Sequence, residues 1–581
     1  MRHFIVFLTA VVFLVSGTNA AGQTPLSGKI APEESELKAS IERYSVDERS
    51  LDRYFIFPFS SARLSRFEAF YEEWLGILEG FDFDDLSQDG KIDHLLFKNH
   101  LVRALDQLQQ ERLSSKKISP LVPFAGTIIR LREDLQKMEW IDGPEAAKCL
   151  NDIKAQIIET QRSVESEESG IQKTTARQAA AVVAALREGL KEWFDFYNGY
   201  GPLFTWWAAE TYKDTALSLR EYEQYLREEL GGDRPGEQSY AIMEPAGREV
   251  LMKELTFEMI PYTPEEILAI GWQELAWCEK ERLKATRELG YGDDWQKAIE
   301  HVKNKCVEPG EQPELIRYMA FEAIDFLEKN NSLTIPPMVE DLIRMEMMSI
   351  ERQQTTPFFT GGEVISVAYP TNGVPYEQKI STMRGNNPHF SRAVVHHELV
   401  PGHNMQGFMA ARHKSYRRPF RTSFFGEGWP LYWEMRLWDM GFQRSPEDRI
   451  GMLFWRMHRC ARIIFSMSFH LGQMTAEEAV DFLVDRIGHE RDNATVEAKA
   501  HLSGRAYGGK PLAQISYLVG GLQLRALSRE LVDSGKMTAK AFHDAVLLEG
   551  SIPVELLRAK MTGQKLSPDF TSKWKFYTFL K

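Results

Sequence analysis

Cysteine is scarce: four among 581 residues, Cys149, Cys278, Cys306 and Cys460. No two stand in C-x-x-C spacing, which excludes a cysteine-built zinc site and a dithiol redox motif. Cys278 and Cys306 flank Gly290-Tyr291-Gly292 and are placed to meet across a helical hairpin, as a disulfide or as free thiols; the spacing leaves both open. Positive charge is in deficit. Lys and Arg total 70 against 83 Asp and Glu, a net charge of −13, so the basic surface of a phosphate-tracking nucleic-acid binder is missing. Long apolar runs are missing after residue 15, and with a mean hydropathy of −0.35 a polytopic membrane protein is excluded. There is no repeat of fixed period and no long low-complexity tract.

The one apolar run is Phe4 to Val15, after Arg2 and His3 and before the small residues Ser16 to Ala21. A short basic start, an apolar stretch too short for a span and a small-residue exit predict a secretory signal peptide over residues 1–20. With no cysteine near the cut, the expectation is an exported, soluble chain, periplasmic in a Gram-negative source, not inserted in the membrane and not a lipoprotein. The remainder, with 43% hydrophobic, 26% charged and 11% aromatic residues, is globular and long enough to bury a large core.

Apolar spacings of three and four predict helices over residues 34–44, 67–78, 93–114, 144–168 and 173–196. Thr263-Pro264-Glu265-Glu266 and Thr475-Ala476-Glu477-Glu478 are helix starts, with a capping hydroxyl and acids at the positive end of the dipole. One segment departs from this pattern. Val364 to Tyr369 is β-rich, and Asn372-Gly373 suggests a tight turn into 377–383. It reads as an edge strand that could hold an extended peptide, or as a small structural hairpin. The expected fold is mainly α, cleft-shaped, with a small hairpin or short sheet near the site. The turn-rich Gly231 to Gly236 divides it into an N-terminal helical half, 21–232, and a catalytic half, 233–581.

The densest polar cluster is His396-His397-Glu398-Leu399-Val400-Pro401-Gly402-His403. A helical zinc motif, H-E-x-x-H, places its imidazoles four apart on one face. Here the second histidine is six residues after His397, about 600° of turn and roughly 9 Å of rise away on a straight helix. Pro401 and Gly402 can break the helix and return His403 toward His397, bringing their ring nitrogens within about 4 Å, as two ligands of one zinc require. His396 and His403 share a face but are too far apart along it. Glu427 follows His403 by 24 residues in Glu427-Gly428-Trp429-Pro430-Leu431-Tyr432-Trp433-Glu434, which puts a second carboxylate on the same helix face. Two histidines and a glutamate at this distance point to zinc on His397, His403 and Glu427, with the fourth position left for water and Glu398 as its base. Downstream, His501, Tyr507 and Tyr517 are candidate donors to a developing oxyanion. Arg505 and Arg525 would pair with a substrate carboxylate or with structural acids. The basic run His413 to Arg421 reads as a solvated loop or an anion-attracting rim. Met345, Met347 and Met348 read as core.

These motifs resemble those of the bacterial domain of unknown function 885 family, whose members look like zinc metallopeptidases. The family's H-E-x-x-P-G-H is matched by His397 to His403 and its E-G-W-x-L-Y-x-E by Glu427 to Glu434. Later segments match at Tyr507, Pro511, Ser516 and Tyr517, at Phe542-His543-Asp544 and from Gly550 to Pro553. Two departures stand out: Pro511-Leu512-Ala513-Gln514, where the family has P-G-Q-A, and Ile464 to His470, which lacks the acid of the family's D-T-G-L-H. The resemblance implies a helical peptidase of the angiotensin-converting-enzyme and thimet-oligopeptidase type, with zinc on His397, His403 and Glu427 and Glu398 as base. The expected activity is hydrolysis of peptides by an exported zinc peptidase. A non-catalytic binder of peptides or zinc, and a zinc hydrolase of non-peptide amides, are the alternatives.

Overall fold

The computed structural model describes residues 35–578 apart from 167–169, 234–241, 356–357, 369–371 and 504–508. The expected signal peptide, half of the expected domain boundary (234–236), Arg505 and Tyr507 lie outside the described residues. Among those described, the fold is mainly α. Helices Ser61–Glu79, Gln88–Ile118 and Lys173–Tyr197 cover the predicted segments 67–78, 93–114 and 173–196, Gly143–Ser166 covers 144–166, and Lys38–Tyr54 starts four residues into 34–44. Thr263 and Thr475 each close a capping box with the glutamate three residues on, satisfying donors that a helix start leaves orphaned.

The sheet is smaller and differently paired than a hairpin. Ile365–Val367 pairs in parallel with the upstream Met345–Met347, and the short helix Ile350–Thr355 lies in the connection. Residues 377–383 fall in the helix Tyr376–Gly385, capped by Pro375 and opened by the helix formers Glu377, Gln378 and Lys379. Met348 is buried, whereas Met345 is half-buried and Met347 exposed. Cys278 is buried beside Cys460 and Cys306 is exposed; both are free, so the hairpin brings no disulfide.

Three apolar cores organise the helices. One lies among residues 57–230 around Trp193, Phe204 and Tyr222. A second joins Leu37, Phe67, Trp74 and Phe97 to Trp429, Trp433, Leu524, Phe542 and Leu556, so the earliest described helices share a core with late ones. A third packs Pro264–Glu288 against Pro446–His470. The seam between the second and third cores is where the histidine motif sits. Val395 and Leu399 belong to one side and Val400 and Met405 to the other; Phe424 and Leu431 likewise face one side, Phe425 and Trp429 the other.

The basic run is only partly solvated: Arg418 and Arg421 are exposed, but Arg417 and Lys414 turn inward. Arg417 is 1% exposed. Its Nε donates to Asp93 Oδ1 at 2.6 Å and its Nη1 to Glu549 Oε2 at 2.7 Å. Lys414 reaches Asp89 at 3.0 Å and Glu549 at 2.6 Å, and Lys560 reaches Asp89 at 2.9 Å. Three cations and three carboxylates thus clamp the second core, and each buried charge has partners.

Candidate metal centre

The helix Pro388–Glu398 ends at the motif. Leu399 leaves helical geometry at φ −108°, ψ −108°, and Gly402 adopts φ −77°, ψ −133° before a new helix, His403–Ala410. Gly402 packs onto the helix it has just left, and its N–H donates to His396 O at 3.0 Å. A Cβ there would meet His397 O at 1.8 Å, so only glycine permits the turn. The break turns His403 back: the two imidazole centroids are 4.9 Å apart at 82°.

Glu427 sits at the junction between Ser423–Gly426 and Gly428–Asp439. This segment is tied to the helix break, because Trp429 Nε1 donates to Pro401 O at 2.7 Å and Gln406 Nε2 to Phe425 O at 3.1 Å. Ligand atoms of His397, His403 and Glu427 lie within 4.8 Å of one another, the only such group among the described residues. Glu427 Oε2 is 3.3 Å from His403 Nε2 and 3.9 Å from His397 Nε2, yet this buried oxygen has no hydrogen-bond partner. Burial would push the Glu427 carboxyl up, but the two imidazoles hold it well below the usual range. Burial would push His403 down, but Glu427, then Glu398, carry it up to about 9. Two imidazoles and a carboxylate around an orphaned oxygen are the donor set of a catalytic zinc site, so the residues present fit that ion.

The sequence places Glu434 on the same helix face as Glu427 and assigns it no task. Its Oε1 is 2.7 Å from His397 Nδ1, with both groups buried. Burial works against its ionisation, but His397, then Arg459, keep its carboxyl low. It is the orienting partner that metal-bound histidines ordinarily have. Its spacing of two helical turns from Glu427 was the available signal.

Glu398 is held from the other side. Gly361 N–H donates to its Oε2 at 2.6 Å, and a Cβ on Gly361 would stand 2.3 Å from the Glu398 Cβ. Asn404 anchors this strand-edge loop through Gly362 O at 2.9 Å. The glycine pair, which carried no assignment from its sequence, is the wall behind the expected base.

Tyr517 opens the helix Ser516–Ser528. Its ring stacks on His397 at 6.3 Å and 15°, and the guanidinium carbons of Arg459 and Arg462 each lie 4.6 Å from its centroid. His501 Nδ1 accepts from Gln514 Nε2 at 2.5 Å and its Nε2 faces Glu497 at 3.2 Å. Arg525 pairs with Asp439 at 2.8 Å, the structural alternative. His396 is fully buried against Phe442, and burial pushes it down to about 4.

A family model described as "Bacterial protein of unknown function (DUF885)" matches residues 56–561. No curated protein matches the chain. Two solved structures share the fold. One, from Shewanella oneidensis, is described as "a putative lipoprotein of unknown function"; it is 18% identical, with a TM-score of 0.67, and the match covers 90% of this chain and 99% of that one. The other, described as "the putative lipoprotein from Colwellia psychrerythraea", is 15% identical, with a TM-score of 0.56, covering 91% and 98%. These descriptions overturn the expectation that the chain is not a lipoprotein. That expectation rested on the absence of cysteine around residue 20, outside the described residues, whereas proteins sharing the fold over nearly their whole length are described as lipoproteins. No described helix is long and apolar enough to cross a membrane.

Proposed function

The chain belongs to the bacterial DUF885 family of proteins of unknown function, and from that footing we propose that it is a zinc-dependent peptidase, with His397, His403 and Glu427 as the ligands. The observation that carries this reading is the convergence of the three ligand atoms within 4.8 Å on a buried carboxylate oxygen that no hydrogen bond satisfies. Zinc bound there supplies Lewis acidity and makes water acidic near neutral pH. The chain's own residues divide the remaining work. Glu398 follows a ligand directly, and successive helical positions diverge by about 100°, which turns it away from ligation and suits it to take a proton from water. The Gly361 N–H fixes one of its oxygens and thereby its orientation. Tyr517 donates its phenolic proton in a hydrogen bond to the oxyanion of the peptide carbonyl, held in place by His397 on one face and the two guanidiniums. Glu434 holds His397 in the tautomer whose Nε2 is free to ligate.

Metal analysis and a mixed-peptide digest read by mass spectrometry test the assignment together. One mole of zinc per mole of protein is expected, lost in His403→Ala. Glu398→Gln should keep its zinc while hydrolysis falls by about 10²–10⁴-fold, the worth of a positioned base. A parent protein that stays metal-free after zinc dialysis, or a Glu398→Gln variant that cleaves as fast as its parent, sinks it.

A further inference from the structure

Arg459 is a buried cation to which the chemistry above gives no substrate. It lies on the helix Pro446–His470 and is 7% exposed. The arginines one turn either side are paired: Arg456 donates to Glu274 at 2.8 Å and Arg462 to Glu497 at 2.6 Å. Arg459 has no such partner. Its Nε is sealed without an acceptor, and among the described residues no carboxylate pairs with its guanidinium. What it has instead is two aromatic faces, Tyr517 at 4.6 Å and Trp455 at 5.6 Å. Glu434, a carboxylate whose ionisation Arg459 favours, is committed to His397.

A guanidinium withdrawn from water needs a partner that accepts along its fork, and a carboxylate matches that fork with two parallel hydrogen bonds. The Tyr517 ring is the bridge from this cation to the metal centre, since it also stacks on the ligand His397. The guanidinium is therefore two ring contacts from a ligand. That separation suits a carboxylate one or two residues beyond the carbonyl under attack, which the end of a peptide supplies.

We propose that Arg459 receives the C-terminal carboxylate of the substrate, so that the chain takes peptides by that end and cuts near it. This rests on the peptidase reading of the site. An acidic side chain offers the same chemistry, and the experiment separates the two sources.

Three peptides of one sequence serve as probes: a free acid, its C-terminal amide, and an amide whose last residue is glutamate. Binding is measured on the zinc-loaded Glu398→Gln protein and kcat/KM on the parent. The free acid should bind about 10- to 100-fold more tightly than the amide, as a charged hydrogen-bonded pair is worth. The same ratio should appear in kcat/KM. Adding Arg459→Gln should erase the ratio with zinc content unchanged, and Arg459→Lys should keep part of it. If the glutamine variant does not fold, the lysine variant decides: an undiminished ratio there overturns the proposal. Equal handling of acid and amide by the parent overturns it, as does a ratio that survives Arg459→Gln. Tighter binding of the amidated glutamate peptide than of the free acid overturns the chain-end assignment. A parent that cleaves nothing, yet binds the acid more tightly through Arg459, refutes the peptidase reading and leaves the carboxylate site standing. Cleavage of acid and amide at equal rates does the reverse.

Discussion

His397 Nδ1 stands 2.7 Å from Glu434 Oε1, both groups shut away from solvent. An ionised carboxylate can only accept, so the imidazole donates from Nδ1 and keeps its lone pair on Nε2, the nitrogen on the side of Glu427. One helical stretch thus sends two carboxylates to opposite nitrogens of the same ring, with Glu427 3.9 Å from Nε2. The first fits a role as ligand and the second sets the tautomer.

Glu434→Ala is accordingly expected to weaken zinc binding by about 10–100-fold while leaving all three ligands in place. Competition with a chromophoric chelator measures this. Unchanged affinity would mean that another group fixes the ring.

Two glycine variants should fail in different ways. In Gly402→Ala the new methyl meets His397 O at 1.8 Å, the helix break must open, and zinc should be lost. In Gly361→Ala the methyl meets the Glu398 side chain at 2.3 Å and no ligand, so zinc should stay while kcat falls. Zinc titration beside peptide turnover distinguishes them, and identical behaviour would contradict the division of labour.

The parts of this site legible in the sequence are those whose geometry is local. The Pro401-Gly402 break follows from what two residue types do to a helix, and the nearness of Glu427 and Glu434 on one face follows from helical period. The pairing of the two segments rests on the 24 residues between His403 and Glu427, and the resemblance agrees with it. What was illegible depends on distant chain. Strand Ile365–Val367 looked like half of a hairpin because its partner, Met345–Met347, lies behind it across a helix. The run around Arg417 looked solvated because its acids stand at 89, 93 and 549. Arg459 looked like any arginine in a helix, since nothing local says that Arg456 and Arg462 pair with carboxylates and that, among the described residues, it does not.

Removing one acid from the Arg417 cluster should be costly. Asp93→Ala leaves Arg417 buried with less than its full complement of charge, and a loss of about 3–5 kcal/mol is expected from urea unfolding. A change under about 1 kcal/mol would show that the cluster contributes little net stability.

Glu555 gives the fold a pH dependence. Burial, opposed by Arg558 and reinforced by Glu530, pushes its carboxyl up to about 7. Between the unfolded value near 4.5 and this one, the folded state holds a proton that the unfolded state has released. Stability therefore falls as pH rises through that window, by about 3 kcal/mol for a shift of this size, and is level above it. Glu555→Gln should remove the decline, so the variant gains on its parent at pH 8 but not at pH 4.5. A parallel decline in both proteins, followed by thermal unfolding across pH, would assign it elsewhere.

The clamp that joins Asp93 to Glu549 through Arg417 sets a timetable for the chain as it is made. At roughly 5–20 residues per second, about 20–90 s pass between the emergence of these two acids. Through that interval Phe67, Trp74 and Phe97 lack the late helices that complete their core. The helix bearing Glu427 is seated on the same unfinished surface. Phe425 and Trp429, which flank Glu427, pack into the same core as Phe542 and Leu556, so the surroundings of the proposed ligands are complete only once that late stretch has been made.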